Sequence, residues 1–303
     1  MNAIVTSLSE LVKMLVDAFR LPALFPALLF VMLNQFFILP SFRFLPIVNE
    51  IAGRDLQDQA FISGALAILL SYIISAIEVP IIRLYEGHVW KDSWWGQFLT
   101  GWHLERRNQL QEQHDSDLDD SFPTPAWVLP TQLGNVIAAF EAYPRRRYCM
   151  DGVLFWPRML PILDKHEFTS YITGYRSTLD FLLNASFLIG IFGIECLFVR
   201  ILFESNLSWW LPLLSLIAAF VFYRAAISSA CDWGEMFRAA FDLFRYQLAE
   251  ALGLQPVKSF EEECVTWHEL TRFWMLQPEP TFSDFAYKGD WPIGTSKNKE
   301  GEK

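Results

Sequence analysis

The chain has 303 residues, of which 52% are hydrophobic, 16% aromatic and 19% charged, with a formal net charge of −10. So apolar a composition excludes a wholly disordered chain, and an acidic balance without an extended basic face argues against nucleic acid as a partner. The charges are gathered into stretches separated by long uncharged runs, the pattern of a chain divided between lipid and water.

Residues 1–20 carry Glu10, Lys13, Asp17 and Arg20, and so lack the uninterrupted apolar core of a cleavable signal. Ile4, Leu8, Leu11, Leu15 and Phe19 fall at helical spacing, and Ser7 with Glu10 has the spacing of a capping box. An amphipathic helix is expected there, lying on a membrane or packed on an aqueous domain.

Between Arg20 and Arg43 no side chain ionises, and a helix of that length crosses a hydrocarbon layer about 30 Å thick. A second uncharged run lies between Asp58 and Glu78 and is prolonged by residues 79–82, which completes a first transmembrane hairpin over 21–82. A third span covers 181–203 and contains Glu195 and Arg200; a fourth covers 207–223 and contains no charge, so the second hairpin occupies 179–227. In lipid the backbone must satisfy its own hydrogen bonds, which selects helices. The expected fold is an all-α integral membrane protein with four spans in two hairpins. A helical insert, 83–178, separates them, and helices over 228–276 and a flexible polar tail, 277–303, follow. A soluble protein built around buried apolar helices is the alternative.

Lys13, Arg20, Arg83, Lys91, Arg176 and Arg224 flank one side of the spans, against Arg43, Arg54 and Arg200 on the other. The positive-inside rule then places both ends and the insert in the cytoplasm. Trp90, Trp94 and Trp95 after the second span, and Trp209 and Trp210 before the fourth, suit interfacial belts. Cys149, Cys196, Cys231 and Cys264 show no C-x-x-C spacing, and in a reducing compartment neither disulfides nor thiolate metal sites are expected. The five histidines lack ligand spacing, and no metal or cofactor is expected.

Within the insert, Leu99, Trp102, Arg106 and Leu110 share helical spacing over residues 94–113. Asp115, Asp117, Asp119 and Asp120 lack the glycine and terminal glutamate of a calcium loop and read as a solvated acidic turn. Thr131 is placed to cap a helix that Pro144 stops. Arg145, Arg146, Arg147 and, further on, Arg158 are candidates for lipid headgroups, with local pairing to Glu141 and Asp151 as the alternative. The apolar run 155–163 is too short to span, and lies at the interface or packs between helices; a long helix is expected from Asp164 into the third span. After the fourth span a small-residue face, Ala225 to Gly234, permits close helix approach. Trp233, Phe237, Phe241, Phe244 and Leu248 then continue a helix toward Gly253, and Ser259 with Glu262 begins another.

Pro130, Thr131, Leu133, Gly134, Asn135, Glu141, Arg147, Tyr148, Asp151 and the triplet Trp156, Pro157, Arg158 make up a PTxLGN…RY…D…WPR stretch. It resembles a group of bacterial four-span membrane proteins of uncharacterised activity, with a second echo in residues 234–253. The resemblance implies a bacterial inner membrane and carries over no catalytic residue. Two hairpins around an insert are similar to bestrophin-like channels in layout alone.

Glu195 sits deep in the third span and Arg200 nearer its outer end, where it can snorkel; Asn34 and Gln35 occupy a comparable depth in the first span, and Glu78 lies near an inner end, within reach of Arg83 or Arg224. They form the wall of an ion or solute path, or else the interhelical bonds that fix a bundle. No nucleophile elbow, phosphate loop or dinucleotide fingerprint is present, so no enzyme is expected. The functional expectation is a membrane-embedded assembly, interaction or signalling protein, partnered by the bilayer, by its own copies or by a cytoplasmic protein. The alternative is an oligomeric ion channel or small-solute transporter.

Overall fold

The computed structural model describes residues 21–42, 44–113, 118–203, 207–255 and 257–275, with Asp119 and Asp120 described by backbone alone. The expected helix over 1–20, Asp115, Asp117 and the tail 277–303 lie outside the described residues. Every long element described is a helix, and four of them, Pro22–Phe42, Leu56–Ala76, Phe168–Leu202 and Trp210–Ala251, are long and apolar enough to cross a membrane.

The first of these is a composite. Helix α1, Leu21–Leu33, widens into a π turn over Asn34–Ile38 and tightens into a 3-10 turn over Leu39–Phe42. Pro40 has no N–H to return to the carbonyl four residues back, while the Leu39 N–H reaches five residues back to Asn34 O, so the ladder changes pitch here. A short helix, α2 (Pro46–Ala52), leads to α3, Leu56–Ala76. The uncharged run does not continue to Ile82 as one helix: the chain breaks at Ile77, and α4, Glu78–Glu86, restarts with Pro80 in its first turn. Gly87, at φ 88°, ends α4 against Pro130, where a side chain would collide.

Helix α5, Trp94–Glu112, is capped by Ser93, whose Oγ accepts from Gly96 N at 3.1 Å. A short α6, Leu118–Ser121, precedes α7, Gln132–Tyr148, which Thr131 caps through Gly134 N at 2.9 Å. Then follow α8, Gly152–Lys165; α9, Phe168–Leu202; α10, Trp210–Ala251; and α11, Phe260–Trp274. With 35 and 42 residues, α9 and α10 extend about 50 and 60 Å, well past the hydrocarbon thickness a single crossing requires.

The chain divides into two compact units, one of Met1–Ala139 with Ile172–Gly234, the other of Phe140–Tyr171 with Glu235–Lys303. The division falls inside the insert. In the first unit α1 packs on α3, the start of one against the end of the other: Ala23 and Ala27 meet Ile74, with Ile81 and Leu188 beside them. A second cluster joins Ile38 to Phe192, Cys196, Val199 and Leu211. Helices α9 and α10 approach closely, since a Cβ on Gly193 would lie 3.1 Å from the Ser215 Cβ. The small-residue face divides, with Ala226, Ser229, Ala230 and Gly234 buried and Ala225 and Ser228 exposed.

The second unit is built around aromatic rings. Phe155, Met159, Leu163 and Phe241 are fully buried, and Phe155 lies 5.1 Å from both Trp267 and Trp274. The apolar run 155–163 is therefore a core helix. Pro157 and Pro161 both sit on its exposed side, where the carbonyls they leave unpaired face outward.

Three expectations are corrected in this unit. Pro144 does not stop α7, which continues to Tyr148 and ends at Cys149 with φ 58°. Asp164 does not begin the long helix; it lies in the last turn of α8, and Glu167, at φ 58°, separates that helix from α9. Cys149 and Cys264 form a disulfide, with Cα atoms 5.0 Å apart across 115 residues of sequence. Spacing along the chain carried no trace of that pairing, because packing of α11 against the end of α7 creates it.

Candidate functional site

The polar side chains of the spans gather at two levels of the first unit. On the π turn, Asn34 donates to Phe30 O at 3.2 Å and lies beside the Glu195 carboxyl of α9, whose Oε2 is buried without a hydrogen-bond partner. One residue on, the widened turn directs Gln35 to a different helix, where Gln35 Nε2 donates to Gln59 Oε1 at 3.2 Å and the Ser63 hydroxyl donates to Gln35 Oε1. Arg200 stands over the Trp209 ring, 5.2 Å from its centroid. These four side chains thus do not converge on one another as a single cluster. Glu195 also forms part of the wall of an open groove of about 360 Å³, with Ile38, Phe42, Ile194 and Phe198.

At the other level Glu78 meets Arg176. Its Oε1 lies 3.6 Å from Arg176 Nη2, and Arg176 Nε lies 3.0 Å from Asp180 Oδ1. The guanidinium is stacked 4.7 Å from the Trp233 ring centre, and both carboxylates are buried. Arg224 donates to Gln132 Oε1 at 2.7 Å. Nearby, Tyr85 Oη donates to Ser186 Oγ at 2.9 Å, and Ser186 Oγ donates in turn to Ala219 O at 2.8 Å, which joins α4, α9 and α10. Burial pushes the Glu86 carboxyl up from its ordinary range, against the opposing pull of His88, Arg176 and Arg83.

The basic candidates divide as well. Arg145 Nη2 pairs with Asp151 Oδ2 at 2.6 Å, and Asp151 also caps α8 through Leu154 N. Arg158 donates to Leu154 O at 2.6 Å and covers the Trp274 ring at 3.9 Å, so it serves the core of the second unit and does not reach outward for lipid. Arg146 and Arg147 remain on the exposed side of α7.

The densest polar network lies in the second unit and had no counterpart among the sequence candidates. Asp242 accepts from Tyr148 Oη at 2.6 Å and from Tyr143 Oη at 3.0 Å; Arg245 donates to Asp242 O at 2.6 Å and to Glu263 Oε1 at 2.9 Å. Trp267 Nε1 completes the set at 3.4 Å from the same Glu263 oxygen. Burial and the Asp242 carboxylate together push both tyrosine hydroxyls up, so both remain protonated donors. A cavity of about 290 Å³ opens beside the network, lined by Tyr246, Leu254, Glu263 and Trp267 among others. The signal for this seam was the i, i+3 spacing of Asp242 and Arg245 on a helix otherwise read for its aromatic face.

In α5 the expected face is displaced by about one position. Gly96, His103 and Leu110, seven residues apart, are the buried set, while Trp102 and Arg106 are exposed. Burial holds the His103 imidazole below its usual range, with Nδ1 unpartnered. Among the described residues no group of His, Cys, Asp and Glu is arranged to hold a metal ion. No protein-family model, curated protein or solved structure matches the chain, so neither activity nor ligand comes to it by likeness.

Proposed function

We propose that the protein is a membrane-embedded assembly or interaction protein, with four spans in two hairpins and its outward surfaces as its working parts. The observation that carries this reading is the use made of polar groups in the spans. Gln35 with Gln59 and Ser63, Glu78 with Arg176, and Tyr85 with Ser186 each fasten one helix to another. A bacterial inner membrane with both ends in the cytoplasm follows from the resemblance and from the flanking basic residues. The Cys149–Cys264 bridge pulls the other way, since cytoplasmic thiols are kept reduced. An impermeant thiol reagent, applied to each side of the membrane after reduction, separates the two orientations.

A second reading, an oligomeric channel or transporter, draws support from the π turn and from the groove that Glu195 borders, because such turns recur at functional sites. Two variants separate the readings. For an assembly protein, Glu195→Gln keeps a polar group of the same size beside Asn34 and behaves like the parent. Glu195→Leu loosens the bundle, seen as a lower melting temperature in nanodiscs, and cation flux is unchanged in both. A change of flux in Glu195→Gln at unchanged stability overturns the assembly reading in favour of conduction.

A further inference from the structure

Helix α5 has two distinct faces. Gly96, His103 and Leu110 are buried, while Trp94, Trp95, Phe98 and Trp102 are 68%, 59%, 70% and 57% exposed. At 100° per residue those four rings fall within an arc of about 100°, centred about 130° from the buried set. Within the ridge the Trp94 and Trp95 rings stack with centroids 3.9 Å apart. Its place in the unit is held by the turn before it: Trp90 Nε1 donates to Leu84 O at 3.0 Å, and a Cβ on Gly96 would collide with the Trp90 carbonyl. Between α3, whose outward side chains are apolar, and this ridge, Val79, Leu84 and Val89 are exposed alongside Arg83, His88, Lys91 and Asp92.

We infer that α5 is an interfacial helix, its ridge of Trp94, Trp95, Phe98 and Trp102 seated in the headgroup and upper acyl layer of the bilayer that the neighbouring spans cross. The inference rests on the membrane reading and adds a second mode of lipid contact to it. The position of α5 in the chain, one short helix after an apolar helix long enough to span whose large side chains are exposed, identifies the occupant, and the residue type agrees, because indole rings favour the boundary between hydrocarbon and water. Charge contributes little. Lys91 and Arg106 at the ends of the ridge are offset by Asp92 and Glu105, so the seat does not depend on anionic lipid.

The test uses nitroxide labels on single cysteines in the full chain, with Cys196 and Cys231 replaced by serine, in phosphatidylcholine vesicles with and without phosphatidylglycerol. Labels replace Phe98, Trp102, Asn108 on the exposed polar flank, and Leu69 on the exposed side of α3. Collision with oxygen, which concentrates in lipid, is compared with collision with a water-soluble nickel chelate. The expected result is an oxygen-to-nickel ratio severalfold higher at 98, 102 and 69 than at 108, in both lipid mixtures. Nickel-dominated collision at 98 and 102 with an oxygen-dominated label at 69 overturns the interfacial helix and leaves the spans standing. Nickel-dominated collision at 69 as well removes the membrane reading itself. Immobile labels at 98 and 102, shielded from both reagents, mean that a second copy or another protein covers the ridge, and the inference fails.

Discussion

The two units of this protein use the same apolar residue types in opposite ways. In the first, large side chains such as Phe61, Leu69 and Phe220 are exposed, and polar groups are turned inward to bond one helix to the next. In the second, Phe155, Met159, Phe241 and Trp267 are buried, and the arginines and carboxylates line one seam or the surface. Water as solvent explains the second arrangement. The membrane reading proposed above explains the first, because in lipid an exposed leucine is neutral and an unpaired amide is costly.

The largest effect that sharpens this comparison is expected at Phe155. Phe155→Ala removes a fully buried ring between Trp267 and Trp274 and destabilises the second unit by about 3–5 kcal/mol, while the spans remain protease-protected. Limited proteolysis of the membrane-held protein reads both at once. Loss of span protection together with the second unit would mean that the two do not stand independently.

Next comes Leu69→Arg. On a water-facing helix the change is nearly neutral; in the middle of a lipid-facing span it disfavours insertion by about 2.5–3.5 kcal/mol. The fraction of chain recovered in carbonate-washed membranes measures it, and unchanged recovery would place α3 in an aqueous setting.

Of similar or slightly smaller size is the bridge. Cys149→Ser removes a link that closes a long loop, and disulfides of that kind contribute about 2–4 kcal/mol. Thermal unfolding of the second unit is expected to shift downward in the variant, and reduction of the parent is expected to reproduce the shift. If reduction changes nothing, the thiols are not paired in the folded protein.

The smallest effect is a pH dependence at His103. Its folded pKa is depressed by burial, so the unfolded chain binds the proton more tightly. The neutral ring's contribution is complete above the ordinary histidine value of about 6.5 and declines as the pH falls from there through the folded value. His103→Phe is therefore expected to show a flatter loss of melting temperature between neutral and mildly acidic pH than the parent. Equal slopes would mean that the imidazole is solvated.

Much of the fold was legible because its cause is local. Uncharged length located the apolar helices, and Thr131, Ser259 and Gly253 marked helix ends through bonds made within a few residues. The candidate site was legible in its membership but not in its pairing. Asn34, Gln35, Glu78, Glu195 and Arg200 were all singled out, yet a single π turn sends adjacent Asn34 and Gln35 to different helices, and Glu78 meets an arginine that had been counted only as a flanking charge.

Composition and local spacing alone determined that this chain is helical, that four of its helices are apolar enough to cross a membrane, and where several of them are capped. Tertiary packing decided which side of α5 is buried, that Pro144 is accommodated inside α7, that Cys149 meets Cys264, and that Tyr143, Tyr148, Asp242, Arg245 and Glu263 form one network. The division is physical. Hydropathy and capping act over one or two turns of chain, whereas each of the other features requires contact between elements that may be a hundred residues apart, and periodicity within one helix holds no information about its neighbour.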